Sequence, residues 1–127
     1  MLFFGPGGGS TNAYGTKVLD TNWHMVTATY SNSLSQIKFY VDGVLDNTTS
    51  GVSSPNSAIT QSLYFGRDSY SSAYFLDGSL EEVRIYSKAL DTASIHGLYN
   101  APNPAGLVAY WSFDGNAIDY TGNGHNG

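Results

Sequence analysis

The sequence predicts an all-β, antiparallel sandwich with one short helix, and three observations predict it. Several short segments alternate apolar and polar residues between clusters of Gly, Pro, Asn, Asp and Ser, which is the pattern of strands with one buried face. Charged residues make up only 12% of the 127 residues, while Ser, Thr, Asn, Gly and Tyr abound, as a turn-rich, hydrogen-bonding surface requires. The pair Asp42-Gly43 stands between two alternating runs, where a two-residue hairpin turn needs residues that tolerate positive φ. A chain of this length can bury one core without disulfide or metal staples.

Residues 23–30 are the first clear strand. Residues 36–41 follow, with Ile37, Phe39 and Val41 on one face and Gln36, Lys38 and Tyr40 on the other. After the Asp42-Gly43 turn, Val44 and Leu45 open the return strand. The stretch TTSGVSSPNSA at 48–58 reads as a polar loop. Residues 62–66 then carry Leu63 and Phe65 inward and Tyr64 outward, and residues 75–86 hold another strand, strongest at Val83 and Ile85. One helix is signalled near residues 91–99, with Asp91 as N-cap, Leu90 and Ile95 at the positions of a hydrophobic staple, and Pro102 and Pro104 ending it. Residues 107–113 alternate again, placing Leu107, Ala109, Trp111 and Phe113 on one side. The Gly/Asn-rich tail beyond them has neither helical nor strand periodicity.

Ten acidic against five basic residues leave no patch that could neutralise a run of phosphates or anchor on an anionic bilayer. Nucleic acid and membrane insertion are therefore not expected. Zero cysteines exclude a disulfide framework and thiolate metal sites. The glycines of GPGGGST at 5–11 are followed by neither Lys-Ser/Thr nor a predicted helix, so they read as a loop rather than a phosphate cradle. His24, His96 and His125 are scattered, with no i, i+4 pair to bind zinc. His24 is expected to pack or hydrogen-bond beside Trp23.

Taken in order, WHMVTATY at 23–30, FYVDG at 39–43, YFG at 64–66, FLDGSLEEVRIYSKAL at 75–90 and IHGLY at 95–99 resemble the second half of a laminin-G-like domain. That family belongs to the concanavalin A-like superfamily of lectins and glucanases, and the resemblance implies a jelly-roll sandwich. The segment GLVAYWSFDGNAIDYTGNGHNG at 106–127 resembles the family's first strand and following loop, yet here it comes last. The chain is therefore expected to comprise the C-terminal larger part of a sandwich at 1–102 and a first-strand segment at 103–127. The apolar face of that segment predicts docking, either on its own chain or as a strand-swapped homodimer.

Asp119, Thr121 and Asn123 offer side-chain oxygens at alternate positions around Gly122, which is the local logic of a calcium loop. The resemblance implies a structural calcium held by Asp119 and Asn123 with Glu81 or Glu82. The competing reading is an Asx-stabilised turn with surface glutamates. Among the tyrosines, Tyr40, Tyr70 and Tyr74, with Asp68 in the DSYSS loop, combine ring faces with hydrogen-bonding groups suited to a sugar.

Hydrolysis is disfavoured. Adjacent Glu81 and Glu82 would point to opposite strand faces, and Asp77 and Glu81 would stand about 13 Å apart on a regular strand, against about 5–5.5 Å for a retaining glycosidase. By family likeness the expected function is a non-catalytic carbohydrate-binding or adhesion module, its partner a polysaccharide or glycan. It would be part of an exported or cell-surface protein whose signal sequence lies outside these residues. The alternatives are a structural spacer of a surface array and a glycoside hydrolase.

Overall fold

The computed structural model describes residues 3–4, 13–17, 19–54, 64–67, 75–100 and 107–127. They form seven strands and one helix, all strand pairs being antiparallel: β1 (Phe3–Phe4), β2 (Ala13–Tyr14), β3 (Val26–Ser31), β4 (Gln36–Val41), β5 (Val44–Ser50), β6 (Val83–Tyr86), α1 (Thr92–Asn100) and β7 (Leu107–Trp111). The pairings are β1–β2, β3–β4–β5 and β6–β7. The chain divides into two compact units, Met1–Ser57 with Lys88–Ala105, and Ala58–Ser87 with Gly106–Gly127.

In the first unit the β4–β5 hairpin turns as its sequence predicts, with Asp42 at φ 54° and Gly43 at φ 77°. Ile37 and Phe39 point from β4 into a core with Ala13 and Val52, and Tyr30 packs against it. The ladder β4–β5 shifts register between Phe39 and Tyr40, which leaves Asp46 as an extra residue on β5. Its carboxylate accepts the Thr16 N–H and hydroxyl at 2.7 and 2.6 Å and the Lys17 N–H at 3.1 Å, so the bulge anchors the segment after β2. The helix begins where expected: Asp91 Oδ1 accepts the Ser94 N–H at 2.7 Å, and Leu90 and Ile95 are both buried.

Four element boundaries differ from the sequence reading. The first strand starts at Val26, because Trp23 is 67% exposed and His24 turns aside to two carboxylates. The return strand runs on to Ser50, so Thr48 and Thr49 pair with Lys38 and Ile37 instead of joining the polar loop. In the second unit, Phe75 makes only an isolated bridge to Arg67, and regular strand begins at Val83, after Glu82 adopts φ 58°. A left-handed residue cannot continue an extended run, which explains the late start. Phe65, expected to face inward, is 38% exposed yet meets Trp111 edge-on at 5.2 Å, and the final strand stops at Trp111 because Phe113 turns at φ 62°.

β6 pairs with β7 so that Val83 faces Trp111, Arg84 faces Tyr110, and Ile85 faces Ala109. A second register shift follows, because Tyr86 pairs with Leu107 and Val108 is left as the extra residue.

Candidate functional site

Two clusters and one groove combine polar side chains among the described residues, and the first lies after β7. Asp119, 5% exposed, accepts four hydrogen bonds: Oδ1 takes the Tyr110 N–H at 3.2 Å, the Thr121 N–H at 2.9 Å and the Thr121 hydroxyl at 2.6 Å, and Oδ2 takes the His125 N–H at 3.2 Å. Burial alone would raise its pKa. The Thr121 hydroxyl and the three N–H groups more than reverse that and hold the carboxyl well below the usual carboxylate range. Asn123 donates its amide to the Val108 carbonyl at 2.9 Å. Glu82 accepts from the Tyr110 hydroxyl and pairs with Arg84, while Glu81 is exposed.

The four residues named for calcium therefore do not fit an ion as placed. A calcium site takes about 6–8 oxygen donors. Among the described residues the only buried carboxylate, that of Asp119, accepts N–H and O–H groups, and Glu82 pairs with a guanidinium. Among the described residues no group of three or more His, Cys, Asp or Glu side chains is placed to hold a metal. The Asx-stabilised turn is the arrangement observed.

The second cluster centres on His24, whose Nδ1 lies 2.8 Å from Asp42 and whose Nε2 lies 3.1 Å from Asp20, with Lys17 3.6 Å from Asp42. It joins the segment before β3 to the β4–β5 turn. The bond to Asp42, then that to Asp20, raises the imidazole's pKa, while Asp20 and Asp42 are lowered. A raised histidine stabilises the fold fully below the ordinary histidine range, and that contribution is lost as pH rises through the folded value. The expected result is a melting temperature that falls between about pH 6 and about pH 9 more steeply in the wild type than in His24→Gln. Equal slopes would show that the ion pairs add nothing.

The groove runs between residues 89–92 and the outward face of β3–β4. Thr29, Ser31, Gln36 and Lys38 supply one wall, Asp91 and Thr92 the other. Direct pairing of Thr29 with Lys38 and of Ser31 with Gln36 puts these polar groups side by side. Its volume of about 230 Å³ lies below the ~300–1,000 Å³ of pockets that enclose a drug-sized ligand.

Tyr40 lines this groove but does not present the open ring expected of it. It is 1% exposed, and its hydroxyl meets Thr92 at 3.2 Å. Residues at the start of α1 cover it, which the strand alternation cannot reveal. Asp68, Tyr70 and Tyr74 lie outside the described residues. The sequence reading does not single out the groove's polar wall, although part of its signal is present: Gln36 and Lys38 alternate with the core positions Ile37 and Phe39.

The laminin G-type family model of the concanavalin A-like lectin/glucanases superfamily matches residues 2–96. A crystal structure of a candidate carbohydrate-binding protein from Bacteroides ovatus is similar, with 26% identity and a TM-score of 0.71 over 90% of this chain and 36% of that one. An S-layer domain-containing protein from Clostridium thermocellum shares the fold at 22% identity and a TM-score of 0.56, over 70% of this chain and 44% of that segment. The chain thus spans less than half of either solved chain. No curated protein matches it.

Proposed function

The chain belongs to the laminin G-type family of the concanavalin A-like superfamily, and from that premise we propose that it is a non-catalytic carbohydrate-binding or adhesion module of a larger exported or surface protein. The observation that carries this reading is the likeness to the Bacteroides ovatus protein, which extends over nearly the whole chain. Its partner is a glycan. The groove beside β3–β4 supports the reading, since hydroxyl, amide and ammonium groups beside a covered tyrosine suit a sugar's hydroxyl rim. No described helix is long and apolar enough to cross a membrane.

A glycan array probed with the full chain tests this, with Lys38→Ala and Thr29→Val as groove variants. The expected result is saturable binding to one glycan class, weakened by both substitutions, without release of reducing sugar. An empty array with a cooperatively folded protein would overturn the reading in favour of a spacer, and reducing-sugar release would overturn it in favour of hydrolysis.

A further inference from the structure

The backbone of β7 has two sides. One pairs with β6; the other is met at Val108 and Tyr110 by the segment that follows. The Tyr110 N–H goes to Asp119, and the Tyr110 carbonyl accepts the Tyr120 N–H at 2.9 Å. The carbonyl of Val108, the residue left over by the register shift, accepts both the Thr121 hydroxyl at 3.1 Å and the Asn123 amide at 2.9 Å. The indole N–H of Trp111 ends on the His125 carbonyl at 2.9 Å. Gly122 and Gly124, at φ 80° and 82°, permit the tight reversals this path needs.

We propose that residues 119–125 are a metal-independent clasp that closes the outer edge of β7 and holds its bulge in register. The physical reason is accounting of polar groups. An open strand edge presents unpaired N–H and carbonyl groups that recruit another strand, and a bulge adds a further unpaired carbonyl. Here side chains and turn amides satisfy both. Asp119 is the hub because a carboxylate accepts several hydrogen bonds at once, three at Oδ1 and one at Oδ2 here, so N–H and O–H donors already meet its charge. The work a bound ion could do in such a loop is done by its own N–H and O–H groups.

Amide hydrogen exchange on the full chain, with added calcium chloride or with EDTA, tests the clasp. In the wild type the Tyr110 and Tyr120 amides are expected to exchange at the same rate under both conditions. Asp119→Asn, which replaces an acceptor with an amide that repels the facing N–H groups, is expected to speed exchange at Tyr110 and Tyr120 by about tenfold or more. It should also produce concentration-dependent association in light scattering, as the bared edge finds a second copy. If Asp119→Asn does not fold, Asn123→Ala serves, with faster exchange expected at Tyr120 and wild-type exchange in β3–β5. Slower exchange at Tyr110 on adding calcium would overturn the proposal, as would unchanged exchange in whichever variant folds.

Discussion

Replacing Phe39 with alanine is expected to remove about 3–5 kcal/mol of folding stability, most of what a small domain has to lose. Phe39 is fully buried on β4, and its described neighbours in the core are Ala13, Ile37 and Val52, with Tyr30 at the margin. None of these can fill the space a phenyl ring vacates. Ala13 has only a methyl group, which cannot reach further, and the β-branched Ile37 and Val52 are held to few rotamers. The loss therefore includes the cavity as well as the lost transfer of the ring from water. Urea denaturation followed by circular dichroism measures it. Val44→Ala on β5, where the side chain is 64% exposed, is the control, expected to change stability by no more than about 0.5 kcal/mol. A Phe39→Ala loss as small as the control's would mean that this core does not hold the first unit together.

What could be read from the sequence is what residues within a few positions of one another decide. The Asp42-Gly43 turn, the alternation of Ile37, Phe39 and Val41, and the Asp91 cap with its Leu90–Ile95 staple all came through intact, because each is a local agreement between propensity and pattern. Tyr40 did not. Its strand parity puts it opposite the core, but Thr92, 52 residues later, brings cover to that face. The loop at 119–123 was readable only as a choice between an ion and an Asx turn. The loop's partners include Tyr110 and Val108, whose backbone groups reach it only once β7 has formed. Glu82 shows a third kind of limit: nothing in Leu-Glu-Glu-Val signals that the second glutamate takes a left-handed φ and delays β6 to Val83.

The largest expected backbone effect is at the hairpin tip, where Gly43→Val should cost about 2–4 kcal/mol. Two causes add. At φ 77° any side chain is strained, by about 1–2 kcal/mol, and a β-branched one tolerates it least. A Cβ at Gly43 would also stand 3.1 Å from the Cβ of Tyr99 and 3.2 Å from the Cα of His96, so the turn is seated directly on α1 and the new carbon presses on helix backbone. Backbone cannot swing aside as a side-chain tip can. Gly51 separates the two causes: its φ is 73°, yet a Cβ there meets nothing within 4 Å. Gly51→Val should then lose only the conformational part, about 1–2 kcal/mol. The difference between the two variants, read in parallel urea titrations, measures the seating of the turn on the helix. Because α1 also brings Thr92 to Tyr40, a Gly43→Val protein that unseats the helix should expose that tyrosine and deform the groove wall formed by Asp91 and Thr92. Equal losses at the two glycines, with Tyr40 still shielded from solvent quenchers, would show that the close approach to α1 contributes nothing to stability.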